Sequence, residues 1–239
     1  MQKYEVKVFG NDERVYKVTD FVADGKTYID AIGIVFGTPL IGLRVLAFDH
    51  SVEQWSVADK IVTTPHNESQ VAQIVCGLED TRRIIESQAN TEGMTAAKRC
   101  WRYQKGDCGC QWYLPSVMEL GALFMVRDEV NDAMKKLGCN NSCLLPTNNP
   151  EDIPVKGSHR IFIWSSSEYS PCYGWYVNFG SGDFGYGGKY NNYVVRAVAN
   201  PFLNATKIGD TKMSDEEIIS ILRSRGYSGE LKLTKTLVV

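Results

Sequence analysis

The chain has 239 residues, 44% of them hydrophobic, and a formal net charge of -2. That length is ample for one sizeable core and points to one main domain with appendages. The near-neutral charge, with no basic stripe interleaved with aromatics, offers no field for a phosphate backbone, so nucleic acid is not an expected partner.

The opening, MQKYEVKVFG, alternates charged and apolar residues, unlike the basic head and apolar run of an export signal. No run approaches the roughly 20 apolar residues that span a bilayer, so membrane insertion is not expected either. Lys3 to Phe9 and Arg14 to Val18 read as two strands around the turn-rich Gly10 to Glu13, a small hairpin within residues 1–30 for docking or oligomerisation. The apolar segment from Ala31 to Phe48, broken at Gly37, Pro39 and Gly42, predicts two buried strands and the start of the main core.

Helical spacing follows over Asp80 to Gln88 and Met94 to Tyr103, with Ile84, Ile85, Ala97, Cys100 and Trp101 facing inward. In LPSVMEL, Ser116 can cap a helix and Glu119 can close the capping box, with Leu120, Leu123 and Phe124 as the buried stripe. A further helix runs from Asp128 to Leu137 and stops at Gly138, and Ile161 to Trp164 reads as a strand. Trp175, Val177 and Phe179 share one face of a strand and Tyr176 and Asn178 the other. Val194 to Val198 is the last buried strand of a domain spanning residues 31–202. Residues 203–239 form an appendage, in which Ser214 and Glu217 cap a short amphipathic helix ending near Gly226.

Between Ser167 and Tyr193, eighteen of twenty-seven residues are Tyr, Gly, Ser or Asn. This is the composition of a recognition surface: Tyr gives large amphipathic contact area at low entropic cost, and Ser, Asn and Gly give adaptable hydrogen bonding. The competing reading is an irregular loop that covers the core. Gly180, Gly182, Gly185, Gly187 and Gly188 are expected to supply backbone angles that other residues resist.

The sequence WYLPSVMEL, then IWSSSEYS, GWYVNFGSG and YVVRAV, resembles the C-type-lectin-fold variable proteins diversified by retroelements in phages and gut bacteria. The resemblance covers residues 31 to 202. It implies an α+β, C-type-lectin-like domain with an N-terminal hairpin extension and a C-terminal helix and strand appendage. It also implies a framework of Trp164, Trp175, Val177, Phe179, Val195 and Arg196, and a displayed ligand-binding set. That set comprises Tyr169, Ser170, Tyr173, Tyr176, Asn178, Ser181, Asp183, Tyr186, Tyr190, Asn191, Asn192 and Tyr193.

Other chemistry has less support. Cys108, Cys110, Cys139 and Cys143 could enclose a zinc ion, but their spacings depart from the usual knuckle; free thiols or one disulfide between the two loops are the alternatives. Seven cysteines cannot all pair within one chain, which suits reduced synthesis. Cys76 and Cys100 read as core. Glu168 and Asp183 lie where the fold often holds calcium but lack a sugar-binding signature. Formylglycine-generating enzymes share a related fold, yet Cys172 has no partner cysteine nearby in sequence. His50, His66 and His159 lie beside no nucleophile motif, so no enzyme and no cofactor are expected. Glu119 and Arg196 are expected to form a buried pair. The expected function is a ligand-binding adhesin, a homo-oligomeric phage virion component meeting other virion subunits and a host surface protein or glycan. The alternative is a structural virion protein using the same surface for subunit contacts.

Overall fold

The computed structural model describes residues 6–57, 60–87, 92–105, 110–147 and 161–204. Within them the chain runs β1 (Lys7–Gly10), β2 (Val15–Lys17), α1 (Val18–Ala23), β3 (Ala31–Thr38), β4 (Gly42–Gln54), α2 (Glu68–Val71), α3 (Leu78–Ser87) and α4 (Ala96–Trp101). It continues through β5 (Trp112–Tyr113), α5 (Val117–Met125), α6 (Arg127–Lys136), β6 (Phe162–Ser170), β7 (Tyr173–Asn178), β8 (Phe184–Gly188), β9 (Asn192–Ala199) and α7 (Pro201–Asn204). The described strands form one mixed sheet in the order β2-β1-β3-β4-β9-β6-β7-β8, with β5 also on β9. β6 and β9 are parallel at Ile163 and Val194, and the other pairings are antiparallel. The fold is therefore α+β, dominated by one sheet.

Period-two alternation divides the apolar residues between two faces. On β9, Val194 and Val198 pack with α5 and α6 residues such as Leu120, Leu123, Val130 and Met134. Tyr193, Val195, Ala197 and Ala199 turn the other way, toward Ile84 of α3 and Ala96, Ala97 and Cys100 of α4. Both faces are covered, which explains why β3 and β4 read as near-continuous apolar runs. The N-terminal hairpin is not a free extension: β1 pairs along β3, setting Val8 against Ile34, and Val8 is buried. The described residues fall within one compact unit, Met1–Asn204. The helix expected from Ser214 to Gly226 lies outside them.

The capping box forms as read. Ser116 Oγ accepts from the Glu119 amide at 3.2 Å, and the Glu119 carboxylate accepts from the Ser116 amide at 2.9 Å. The expected ion pair does not form. Glu119 pairs with Arg44 of β4 and also accepts from the Tyr113 hydroxyl at 2.7 Å and the Gly77 amide at 3.0 Å. The reason is placement: α5 packs across β3, β6 and β7 with its start within reach of Arg44, whereas Arg196 lies mid-strand in β9 beneath Met134 and the turn at Cys143. Two carbonyls, Phe48 at 3.1 Å and Cys143 at 2.8 Å, hold the Arg196 guanidinium. Burial pulls its pKa down to about 10, which leaves it charged at neutral pH.

Candidate functional site

The Tyr- and Gly-rich segment becomes β7, β8 and their turns, at one end of the sheet. Register pairs Trp175 with Tyr186 and Val177 with Phe184, so these four share a face with Tyr173. Trp175 and Val177 are buried beneath α5 and its neighbours, but the cover stops there. Beyond it Tyr173, Phe184 and Tyr186 are between 44% and 47% exposed. The rings support one another: Tyr169 stacks on Tyr186 at 4.0 Å, while Tyr173 and Trp175 each meet Tyr186 edge-on at 5.7 Å. Phe184 leans on Trp175 at 5.9 Å. The result is a preordered aromatic strip, with Tyr190 exposed on the next turn.

The structure sorts the expected ligand set. Tyr173, Ser181, Asp183, Tyr186, Tyr190 and Asn192 are exposed, and Tyr169, Ser170, Tyr176, Asn178 and Asn191 are half-buried. Tyr193 is buried, its ring tilted against Trp164 at 4.2 Å, because β9 turns it toward the α4 side of the sheet. It is a core residue, not a displayed one. Tyr176 lies on that side too, stacked on Phe162 at 4.6 Å. Asn178 Oδ1 accepts from the Gly180 amide at 2.8 Å, and Asn191 donates to the Tyr193 hydroxyl at 3.0 Å, so both shape turns. Phe184 was absent from the expected set, although its period-two spacing to Tyr186 in FGYG is the signal that pairs them.

The glycines also work differently from expectation. Of the five named, only Gly182 has a left-handed backbone, at φ 87°. Gly185 and Gly187 are strand residues kept small by crowding, since a Cβ would come within 3.0 Å of Tyr176 Oη and 2.6 Å of Tyr193 Oη respectively.

Beneath the strip lies a clamp of buried charge. Lys189 and Glu168 are both fully buried and form an ion pair. Glu168 further accepts from the amides of Val62 at 3.0 Å and Thr63 at 2.7 Å and from the Thr63 hydroxyl at 3.0 Å. Lys189 Nζ donates to the Lys60 carbonyl at 2.8 Å and lies 4.9 Å from the centre of the Trp55 ring. Its amide donates to the Cys172 carbonyl at 2.9 Å, and its carbonyl accepts from the Trp55 amide at 2.9 Å. One residue thus fastens the β4 exit, the β6–β7 turn and the β8–β9 turn together. This consumes the Glu168 carboxylate, which is therefore not open to a calcium ion.

Asp80 of α3 is a further buried carboxyl, with Oδ2 lacking a partner. Burial, against the opposing pull of Arg83, raises its pKa to about 6 from 3.8. The protonated form therefore supports the fold below the unfolded pKa, and that support is lost as pH rises through about 6. Asp80→Asn should raise stability at pH 7 by roughly 2–3 kcal/mol and flatten its decline between about pH 4 and 6, read by urea unfolding across pH.

The four-thiolate zinc arrangement is not available. Cys110 is disulfide-bonded, and Cys139 and Cys143 are free, which also excludes a bond between those two and the Cys110 loop. Burial, with Cys143 beside it, pushes the Cys139 thiol up to about 12, far from a ready metal ligand. Cys108 lies outside the described residues, as does His159. Among the described residues no three His, Cys, Asp or Glu side chains come together as a metal site. Cys172 is exposed and free, while Cys100 is buried as read. His50 and His66 are held below the usual imidazole range chiefly by burial, with Arg196 and Arg83 respectively adding to it. No described helix is long and apolar enough to cross a membrane.

No known protein family matches the chain, and no curated protein does. Among solved structures, a fimbrial protein from Bacteroides ovatus ATCC 8483 superposes with a TM-score of 0.54 at 14% identity, over 83% of this chain and 49% of that one. The chain thus spans about half the length of that protein. At such identity the likeness is one of fold: the sheet and helices described here recur in part of a fimbrial protein from Bacteroides.

Proposed function

We propose that the chain is a ligand-binding adhesin on a C-type-lectin-like framework, and that the strip formed by Tyr173, Phe184, Tyr186 and Tyr190 binds a protein or glycan on a host surface. The observation that carries this reading is the set of exposed rings of Tyr173, Phe184 and Tyr186 on β7 and β8, supported by ring contacts with Tyr169 and Trp175, beside turns fixed by a buried ion pair. An ordinary loop covering the core would turn those rings inward; these turn outward and are held rigid. Rigid aromatic anchors lose little entropy on binding and are typical hot-spot residues. The fimbrial likeness supports an attachment role, and the WSSSE and YVVRAV resemblance supports a phage virion as the assembly that carries it. In either setting, many identical copies would raise weak contacts to firm attachment. The reading assigns the chain no reaction.

Labelled full-length protein retained on cells from a panel of gut bacteria provides the test. Tyr173→Ser and Tyr186→Ser should each lower affinity by about tenfold or more, as hot-spot truncations do. Unchanged retention would reject this surface. A second reading, a permanent subunit contact, draws on the outer edge of β8, which pairs with no other described strand. It requires the purified chain to self-associate, and to stop doing so in the same variants.

A further inference from the structure

A polar cleft of about 510 Å³ lies away from the aromatic strip, between the outer half of β4 and the end of α4. Asp49, Ser51 and Glu53 recur at spacing two on β4, and the pairing of Ser51 with Val195 puts them on the face that α4 covers. Two of the three are engaged: Glu53 binds Arg99 at 2.8 Å, and Asp49 Oδ2 accepts from the Tyr103 hydroxyl at 3.2 Å. Between them the Ser51 hydroxyl has no hydrogen-bond partner. Arg102 and Gln104, both exposed, line the same cleft, and Arg102 meets no carboxylate among the described residues.

We propose that this cleft binds an acidic sugar residue, with its carboxylate on Arg102 and its hydroxyls on Asp49, Ser51 and Gln104. The choice follows from the lining. A simple anion would face Asp49 as well as Arg102, a cation would face two guanidinium groups, and an apolar group would leave Ser51 and Gln104 without partners. A ring bearing several hydroxyls and one carboxylate satisfies each of them, and the guanidinium fork suits a carboxylate. The volume falls in the roughly 300–1,000 Å³ range of small-ligand sites. No residue of the aromatic strip takes part, so this site stands or falls independently of the adhesin reading.

Sodium D-glucuronate titrated into the full chain, followed by amide chemical shifts, tests the site. Saturable shifts are expected at Ser51 and from Arg102 to Gln104, with D-glucose and acetate each binding about tenfold or more weakly. Arg102→Ala should abolish them, while the Tyr173→Ser/Tyr186→Ser variant should keep them. Ser51→Ala should weaken binding yet leave the melting temperature unchanged or raised, since the hydroxyl has no bond to lose. No saturable shift, acetate binding as tightly as glucuronate, or an unaltered titration in Arg102→Ala would overturn the proposal.

Discussion

Lys189→Met is expected to cost about 3–5 kcal/mol in urea unfolding, because it leaves the Glu168 carboxylate fully buried without its counter-charge. That is a large part of the roughly 5–15 kcal/mol that holds a typical domain folded. Adding Glu168→Gln should return much of the loss: a neutral amide oxygen still accepts from Val62 and Thr63, and no orphaned charge remains. Lys189→Met should also weaken ligand binding without touching any exposed aromatic, since the three turns that carry Cys172, Tyr190 and Trp55 meet at Lys189. A cost under about 1 kcal/mol would mean that the pair is solvated and not a clamp.

Arg44→Met is expected to cost a similar 3–5 kcal/mol, for the same reason, by stranding Glu119 in the core beside Tyr113 and Gly77. Its consequence for binding should differ. Arg44 holds the start of α5, whereas Lys189 fastens the turns beside Tyr173 and Tyr190. Among molecules that remain folded, affinity should be that of the native chain, whereas in Lys189→Met it should not. Unfolding curves and cell retention, measured on both variants, separate a framework pair from a pair that shapes the site.

The contrast between these pairs also shows where sequence reading succeeds and where it stops. The capping box at Ser116 and Glu119 is a contact over three residues, and the alternation of Trp175, Val177 and Phe179 is a property of one strand, so both could be read directly. Glu119's partner is 75 residues away, and the choice between Arg44 and Arg196 depends on which strand α5 crosses. Lys189 went unremarked for a related reason: only the fold brings it, from the turn after β8, to Glu168 of β6.

Within the candidate site the composition was legible and the orientation was not. Tyr, Ser and Asn mark a recognition surface, but which tyrosines face outward depends on the phase of each strand and on what covers each side of the sheet. Tyr193 and Tyr176 belong to strands whose phase sends them toward Phe162 and Trp164. Phe184 shares its face with the buried Trp175 and Val177, yet it borders an open groove along α5 and is left 47% exposed. The roles of Gly185 and Gly187 were hidden for the same reason, since the rings that crowd them come from β7 and β9.

The adhesin proposal rests on the outward face of β7 and β8 as the binding surface. The most direct measurement compares retention on cells of the native chain, a Tyr173→Ser/Phe184→Ser/Tyr186→Ser variant, and a Ser181→Ala/Asn192→Ala variant, with melting temperatures recorded for all three. The first variant is expected to lose retention while still melting cooperatively, and the second to keep most of it. Full retention by a folded variant lacking all three rings would contradict the claim.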